Sequence, residues 1–321
     1  MSGLVGDIGG TNARFALAVE EEGRIALFEP RSYANKDYPS AEAAIGTYLS
    51  DIGAAQPDKA VLAVAGPINQ GAIHFTNLDW ELSEARLRSH GDFKAARLIN
   101  DFAAQALGAV RVTPDKLLRL GPQIPTPAQG AIAVLGPGTG FGVAGLIRDG
   151  GQEVVLTTEG GHAGFAPTDE TEVEIWRHIL TQKRERVSIE RVLSGSGFFD
   201  IYLALAAIEG VQPTFANQVE VQNGAEKGDA LAVATVDRFC RMLGSTAGDI
   251  ALELGARGGV YVSGGVAGHM ADRLAAGGFR ERFEDKGRFQ SYMRAIPVWL
   301  VLDPFVALMG SASVLKSLEP A

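Results

Sequence analysis

A strand, a glycine-rich turn and a second strand occur twice in this chain. Residues 4–18 read LVGDIGGTNARFALA and residues 131–147 read AIAVLGPGTGFGVAGLI, with Gly10 and Thr11 opposite Gly138 and Thr139. A supersecondary unit that recurs in the second half of a chain predicts two related lobes, and we expect these lobes to face each other.

The length and the order of elements agree with two lobes. The 321 residues, 46% of them hydrophobic, supply enough apolar material for two cores. Segments 4–10, 13–20 and 24–33 predict an antiparallel meander, which precedes a helix capped by Ser40 and a buried strand at 59–68. A further strand, 96–101, runs directly into a helix.

The lobe boundaries follow from composition and from the last helix. Residues 113–130 are rich in proline and predict the passage between lobes. The closing helix at 304–318 is expected to return to the N-terminal lobe. We therefore expect a small α/β domain at 1–110 plus 302–321 and a large α/β domain at 111–301.

Charge and cysteine content exclude several classes of protein. The formal net charge of -9 offers no basic stripe to a phosphate backbone, so we expect no nucleic-acid partner. No apolar stretch approaches the roughly 20 residues that span a bilayer, and no secretory signal precedes the first strand. Cys240 is the only cysteine, which excludes an internal disulfide and a cysteine-rich zinc site. We expect a cytoplasmic protein without membrane contact, and Cys240 buried in a helix.

The first glycine turn has the composition of a phosphate-binding loop. Gly9 and Gly10 carry no Cβ, so backbone N–H groups can approach phosphate oxygens closely, and Thr11 and Asn12 add side-chain donors. Asp7 is placed to hold magnesium through water, because Mg²⁺ keeps several waters and takes few protein carboxylates. The alternative is an ordinary hairpin. The predicted nucleotide-binding residues of this segment are Gly6, Asp7, Ile8, Gly9, Gly10, Thr11, Asn12 and Arg14.

Two more glycine motifs follow in the second half. Gly138, Thr139 and Gly140 suit the β- and γ-phosphates of a nucleotide. Neither phosphate loop is followed by Gly-Lys-Ser/Thr, and 138–142 lacks the dinucleotide spacing, so P-loop and Rossmann sites are disfavoured. The third motif, with Gly264 and Gly265, ends a strand and could let adenosine lie against bare backbone. The alternative there is a plain strand-to-helix turn.

Polar side chains stand at the ends of several apolar segments. Asn100 and Asp101 follow ARLI, Glu159 and His162 flank a glycine pair after VVLTT, and Glu190 lies in VSIERVLSGSG. Carboxylates and amides exchange hydrogen bonds with vicinal hydroxyls, so this set suits a sugar. Two alternatives stay open: Asp101 caps the helix that begins at residue 102, and Glu190 is a solvated helical charge.

These motifs together resemble a known family. The segments GDIGGTNARFALA, LINDFAAQALG, LGPGTGFGVAGL, EGGHAGFAP, IERVLSGSG and VSGGVA resemble, in order and spacing, the bacterial glucokinases of the hexokinase and actin-like ATPase fold. The resemblance covers essentially the whole chain. It implies a two-lobed, ribonuclease H-like α/β fold with a cleft between a small and a larger domain. It also implies a homodimer.

The resemblance assigns roles to single residues. It makes Asp101 the catalytic base, matches Asn100, Glu159, His162 and Glu190 to the positions that hold sugar hydroxyls, and matches 7–14 and 138–140 to the two phosphate loops. The implied reaction is phosphorylation of glucose at its C6 hydroxyl by ATP, giving glucose 6-phosphate and ADP as in glycolysis, with lobe closure on sugar binding. Related kinases with a cysteine-rich zinc motif differ, so we expect no zinc.

Three alternatives remain at this stage. The first is a kinase for another hexose, such as mannose, fructose or an N-acetylated amino sugar, because epimers differ by one hydroxyl. The second is a sugar-responsive regulator, which would need a basic helix-turn-helix segment, and the first strand begins by Leu4. The third is a filament-forming ATPase, against which the polar set around Asp101 argues, since a filament has no sugar to hold.

Overall fold

The computed structural model describes residues 2–21, 24–75, 79–90, 92–127, 129–183 and 186–319. The chain divides into two compact units, Met1–Pro114 with Asp303–Ala321 and Asp115–Leu302. Each unit contains its own β-sheet with helices packed on it, which confirms the predicted α/β class.

The elements follow one another along the chain in the order expected from the sequence. The strands are β1 (Ser2–Ile8), β2 (Asn12–Glu21), β3 (Arg24–Ala34), β4 (Lys59–Val64), β5 (Ala72–His74), β6 (Glu81–Ser83), β7 (Ala95–Asn100), β8 (Leu117–Arg119), β9 (Gly130–Pro137), β10 (Phe141–Asp149), β11 (Gln152–Thr157), β12 (Gly259–Val262) and β13 (Val298–Val301). The helices are α1 (Ala41–Asp51), α2 (Glu84–His90), α3 (Asp101–Ala109), α4 (Glu170–Lys183), α5 (Ile189–Val192), α6 (Gly195–Glu209), α7 (Gln218–Glu226), α8 (Ala230–Glu253), α9 (Gly265–Gly268), α10 (Ala271–Ala275), α11 (Gly278–Glu284), α12 (Gln290–Arg294) and α13 (Val306–Leu315). As far as the structure describes them, none has the length and apolar character needed to cross a membrane.

The sheet of the first unit brings two predicted site segments to one edge. Its strand order is β3-β2-β1-β4-β7. The first three strands pair antiparallel, which confirms the predicted meander, while β4 is parallel to β1 and β7 is parallel to β4. Ile8, Val64 and Asn100 are neighbours in register. The turn after β1 and Asp101 after β7 therefore leave the sheet at the same edge, where α/β sheets bind ligands.

The alternation of side chains along β1 divides the core of the first unit. Leu4 and Ile8 pack with Tyr48 of α1 on one face of the sheet, and Val5 packs with Leu308 of α13 on the other. Burial of both faces of the strand explains why the adjacent residues Leu4 and Val5 are both apolar.

Helices α3 and α13 are in direct backbone contact. A Cβ on Gly108 would lie 1.9 Å from the Val306 carbonyl oxygen, and one on Gly310 would lie 1.7 Å from the Ala104 carbonyl oxygen. Glycine at both positions is what permits this approach. The closing helix thus fixes the position of α3, which begins at Asp101.

The second unit repeats the strand order of the first. Its sheet has the order β11-β10-β9-β12-β13-β8, with β9, β10 and β11 antiparallel and β12 and β13 parallel to β9. This confirms the internal repeat. Within the segment 113–130, predicted as the passage between lobes, Leu117–Arg119 forms a short strand that pairs antiparallel with β13. Three residues are too few to reveal a strand by alternation.

Helices α6 and α8 contribute several large side chains to the core of the second unit. Phe198 and Tyr202 of α6 pack with Phe239 and Cys240 of α8. Cys240 is 2% exposed, as expected. Burial raises the pKa of the Cys240 thiol to about 12, so the thiol is unreactive at neutral pH.

Candidate active site

The first glycine turn is short and tightly closed. It spans residues 9–12, between the paired residues Ile8 and Ala13. The Gly9 N–H donates to the Asn12 carbonyl oxygen at 3.0 Å. Thr11, at the tip of this turn, is exposed. This geometry suits a phosphate loop, and the binding role of its residues stays a prediction.

Two of the predicted nucleotide-binding residues, Gly6 and Ile8, are buried in the core of the first unit. Ile8 is fully buried, so it can reach a ligand only through its backbone. A Cβ on Gly6 would lie 2.6 Å from the Leu62 Cδ2 atom and 3.0 Å from the ring of Phe15. Packing inside the sheet alone therefore accounts for glycine at position 6.

Asp7 forms an ion pair at the base of the first turn. It lies opposite Arg14 on β2, and the Arg14 Nη1 group donates to the Asp7 Oδ2 atom at 3.1 Å. The Asp7 side chain is 15% exposed and that of Arg14 is 37% exposed. Burial raises the pKa of the Asp7 carboxyl, and the Arg14 guanidinium opposes this rise. The pair occupies one carboxylate oxygen of Asp7.

Asn35 supports the first turn, and the sequence analysis missed it. Its Nδ2 group donates to the Gly9 carbonyl oxygen at 2.8 Å and its backbone N–H donates to the Thr11 carbonyl oxygen at 2.9 Å. The side chain is 2% exposed, and its Oδ1 atom has no hydrogen-bond partner among the described residues. The β2–β3 pairing of Asn12 with Ala34 would have placed residue 35 beside the turn, had the register been known.

Asn100, and not Asp101, caps helix α3. The Asn100 Oδ1 atom accepts a hydrogen bond from the Ala103 N–H at 3.0 Å, and the helix begins at Asp101. The alternative that Asp101 caps a helix starting at Phe102 is therefore wrong. The Asp101 Oδ1 atom accepts the Phe102 N–H at 2.9 Å. Asn100 is thereby held with its Nδ2 group as a donor, and the helix N-terminus stabilises the Asp101 carboxylate.

The second glycine turn is held from two directions. The Gly138 N–H donates to the Gly140 carbonyl oxygen at 2.8 Å, and the Gly195 N–H at the start of α6 donates to the Gly138 carbonyl oxygen at 3.0 Å. The Phe141 N–H donates to the Glu190 Oε2 atom at 3.0 Å. A Cβ on Gly138 would meet nothing within 4 Å, so space beside this loop is open.

Glu190 is part of this arrangement and not a solvated helical charge. It is half-buried in the short helix α5. Its Oε2 atom is bonded to the Phe141 N–H and would lie 2.3 Å from a Cβ on Gly140. The alternative of a solvated charge is therefore wrong, because the carboxylate accepts a hydrogen bond from the backbone beside the second glycine turn.

Glu159 and His162 flank a 3₁₀ turn, Gly160–His162, with exposed side chains. The Glu159 side chain makes no capping hydrogen bond to this turn. The Gly160 N–H instead donates to the Thr158 Oγ1 atom at 3.2 Å. Since Thr158 braces the turn, the Glu159 carboxylate is available to a ligand.

The predicted sugar residues of the second unit meet the second glycine turn at Phe141. The 3₁₀ turn packs against this residue, since a Cβ on Gly161 would lie 1.9 Å from the Phe141 carbonyl oxygen. Glu190 bonds to the N–H of the same residue. The Ile189 N–H donates to the Ala163 carbonyl oxygen at 2.9 Å, which ties α5 to the segment after the 3₁₀ turn.

The third glycine motif touches the second through the backbone. A Cβ on Gly264, where φ is +104°, would lie 2.4 Å from the Pro137 carbonyl oxygen. A Cβ on Gly136 would lie 1.6 Å from the Ser263 carbonyl oxygen. A Cβ on Gly265 would meet nothing within 4 Å, so that position faces open space. The two motifs form one continuous backbone surface, and an adenosine role for Gly264 and Gly265 stays a prediction.

Comparisons with known proteins agree with this geometry. A family model described as glucokinase matches residues 4–318. A glucokinase of Caulobacter vibrioides is 54% identical over 316 residues, which cover 98% of this chain and 95% of that relative. A crystal structure of glucokinase from an Antarctic psychrotroph has a TM-score of 0.86 at 36% identity and covers 98% of both chains. A ROK family glucokinase from Streptomyces griseus in complex with glucose and AMPPNP shares the fold, with a TM-score of 0.68 at 20% identity over 99% of this chain and 100% of that one. The chain thus belongs to the glucokinase family.

Proposed function

We propose that this enzyme transfers the γ-phosphoryl group of ATP to the C6 hydroxyl of glucose, giving glucose 6-phosphate and ADP. The family model and the relatives named glucokinase support this reaction over nearly the whole chain. A protein of the same fold has been solved with glucose and the ATP analogue AMPPNP. The comparisons favour glucose over mannose, fructose or an N-acetylated amino sugar.

One observation carries the proposal: the meeting of three features at Phe141. The glycine turn 138–140 precedes this residue, Glu190 bonds to its N–H, and the turn bearing Glu159 and His162 packs on its carbonyl group. A phosphate loop beside carboxylate and imidazole groups suits an enzyme that moves a phosphoryl group to a polyhydroxylated acceptor.

The sugar is held by side chains of complementary hydrogen-bonding character. Glu159 and Glu190 accept from hydroxyl groups, and His162 donates or accepts. Asn100 donates through Nδ2, because its Oδ1 atom is engaged in the helix cap. A sugar with a missing or inverted hydroxyl leaves such groups unpaired, at a cost of about 1–3 kcal/mol each.

Asp101 acts as the general base. Its carboxylate lies in the first turn of α3, and α13 holds this helix by backbone contact at Gly108 and Gly310. The carboxylate aligns the C6 hydroxyl of the sugar and takes its proton as the oxygen bonds to phosphorus. Phosphoryl transfer has a loose transition state, so positioning and charge stabilisation supply most of the acceleration and the base a smaller part.

The phosphate groups of ATP are bound by the backbone N–H groups of the two glycine turns, with Thr11, Asn12 and Thr139 as side-chain donors. Mg²⁺, when bound with ATP, neutralises charge on the phosphate oxygens. Among the described residues no group of three or more His, Cys, Asp or Glu side chains could hold a metal. A single carboxylate, Asp7, fits an ion that is held mainly by phosphates and water.

Cellular setting and assembly form the outer part of the proposal. We place the reaction in the cytoplasm, where its product enters glycolysis, and we take the homodimer implied by the family resemblance as the working state. The single, buried Cys240 suits a reducing compartment. Cell fractionation and light scattering coupled to size-exclusion chromatography measure these two properties directly.

Replacing the base tests the mechanism. Asp101→Asn keeps the size of the side chain and removes its basicity, so turnover should fall by about 100-fold or more while glucose binding is retained. The measurement is a coupled assay with glucose, mannose, fructose and N-acetylglucosamine, with ATP and no sugar as control. A variant that turns over within a few-fold of the parent would contradict the assigned base. A parent that prefers another hexose would contradict the assigned substrate.

A further inference from the structure

One hydrogen bond joins the predicted sugar site to the phosphate loop within the second unit. Glu190 uses its Oε2 atom to accept the N–H of Phe141, the residue that follows the loop 138–140. Within the described part of the chain, no hydrogen bond to the other carboxylate oxygen, Oε1, is formed. One carboxylate oxygen of Glu190, Oε2, is thus bonded to the backbone beside the loop, and the other, Oε1, can accept a hydrogen bond from a ligand.

The packing around this carboxylate is close. A Cβ on Gly140 would lie 2.3 Å from the Glu190 Oε2 atom, and 3.1 Å from the carboxylate carbon. Loop and carboxylate are therefore in van der Waals contact as well as hydrogen-bonded. Because a hydrogen bond joins the Glu190 carboxylate to the Phe141 N–H, a shift of the carboxylate changes the support of the loop, and a shift of the loop changes the position of the carboxylate.

We propose that Glu190 couples the binding of sugar and nucleotide, so that each substrate tightens the binding of the other. This inference rests on the proposed function, in which Glu190 contacts glucose and the loop 138–140 contacts ATP. Glu190 is then a positioning residue for the phosphate loop in addition to a sugar ligand.

The physical basis is shared ordering. A glucose hydroxyl that donates to Oε1 restricts the rotation of the Glu190 side chain, and the Oε2 bond then holds the Phe141 N–H and the loop before it. ATP binds a loop that is already ordered, so it loses less conformational freedom. Linkage requires the effect to be reciprocal, with the same factor for both ligands.

Two glycines of one loop provide a matched pair of variants. Gly140→Ala introduces a Cβ into the space of Oε2 and should displace the carboxylate from the Phe141 N–H. Gly138→Ala introduces the same methyl group where nothing lies within 4 Å. Neither residue has a positive φ, so alanine causes no backbone strain at either position.

The first experiment measures glucose affinity without nucleotide by isothermal titration calorimetry. We expect Gly140→Ala to weaken glucose binding by about tenfold, the loss of one hydrogen bond to a charged group. Gly138→Ala should bind glucose like the parent. Equal glucose affinity in the two variants, both shown to be folded by circular dichroism, would overturn the proposal.

A second experiment tests the proposal even if Gly140→Ala does not fold. Glucose affinity is measured with and without saturating AMPPNP and Mg²⁺ in the parent, Glu190→Ala and Glu159→Ala. Both variants lose a sugar contact, but only Glu190 touches the loop. We expect AMPPNP to tighten glucose binding by about fivefold or more in the parent and in Glu159→Ala, and to have no effect in Glu190→Ala.

Coupling of equal size in both variants would overturn the role of Glu190. A parent that phosphorylates glucose without any coupling would refute this inference and leave the proposed function standing. A parent that binds neither glucose nor AMPPNP would refute the proposed function itself.

Discussion

The two glycine hairpins have the same strand order but differ at the second pair of residues before the turn. In the first hairpin this pair is Asp7 and Arg14, joined by a hydrogen-bonded ion pair. In the second it is Gly136 and Gly142. One hairpin thus carries charge at this position, and the other permits close approach of backbone. Under the proposed function, the two copies of this supersecondary unit contact the nucleotide through different residue types.

The supports of the two turns differ in a similar way. The first turn is held by Asn35, a buried neutral residue that directly follows the meander. The second is held by Glu190 and by the start of α6 at Gly195, which lie far along the chain from it. A neutral buried support gives a turn of constant shape, whereas a half-buried carboxylate can respond to a ligand. The following variants test this difference.

Gly136→Ala should have the largest effect. Its Cβ would lie 1.6 Å from the Ser263 carbonyl oxygen, a contact between two backbones that neither strand can relieve. We expect a loss of about 3 kcal/mol or more in the stability of the second unit. Gly9→Ala, whose Cβ would lie 3.6 Å from the Asn12 carbonyl oxygen, is the control in the first hairpin and should cost less than about 1 kcal/mol. Thermal unfolding followed by circular dichroism measures both, and equal losses would show that the hairpins tolerate side chains alike.

Gly138→Val should have the largest effect on nucleotide binding. The position faces open space in the protein alone, so the fold should survive, but a branched side chain would stand where backbone must meet phosphate. We expect the Kd for ATP to rise by about tenfold or more, the loss of a charge-assisted hydrogen bond. Gly46→Val, at another open glycine on α1, is the control. Unchanged ATP affinity by calorimetry in the folded variant would place the phosphates elsewhere.

Local patterns in the sequence predicted most elements of the fold. Ser40 accepts the Ala43 N–H as predicted for the cap of α1, and the meander, the buried strands and the closing helix occur where alternation and apolar runs indicated them. The division into two related lobes followed from the repeat, and the actin-like fold class followed from the family resemblance. These features are encoded by neighbours in sequence, so they can be recognised without knowledge of tertiary contacts.

The support of the site could not be predicted in the same way. Asn35 is 26 residues from Gly9, and Glu190 is 49 residues from Phe141, so no local pattern joins either pair. The alternative in which Asp101, and not Asn100, caps α3 was wrong for another reason. Both residue types cap helices well, and a shift of one residue lies within the uncertainty of any helix boundary.

Asn35→Ala should have a moderate effect that is specific to the first turn. It leaves the partly buried Gly9 carbonyl oxygen without its hydrogen bond from Asn35. We expect the KM for ATP to rise by about fivefold, equivalent to one net hydrogen bond, with the KM for glucose unchanged. Asn69→Ala, at an exposed turn of the same unit, is the control. Equal rises in both KM values would indicate a general loss of stability and would contradict a specific support of the loop.

Asp7→Asn should have the smallest effect, a rise of a few degrees in melting temperature at neutral pH in metal-free buffer. Burial raises the pKa of the Asp7 carboxyl above its ordinary value of 3.8, although Arg14 opposes this. A raised carboxyl pKa contributes stability that is fully present below pH 3.8 and is lost as the pH rises through the folded-state pKa. At neutral pH, ionisation of the buried Asp7 therefore lowers the stability of the folded state, and the isosteric amide of Asn avoids this loss. Arg14 is partly exposed, so water can solvate its guanidinium group when the carboxylate is absent. The advantage of the variant should disappear as the pH falls below 3.8, while its activity with ATP should be reduced at neutral pH. Asp58→Asn, at a carboxylate that is 62% exposed, controls for the loss of one negative charge.

A parent that is more stable than Asp7→Asn at neutral pH would mean that pairing with Arg14 outweighs burial. The charged pair of the first hairpin would then serve stability, and the difference from the glycine pair of the second hairpin would no longer indicate a specialised role in nucleotide binding.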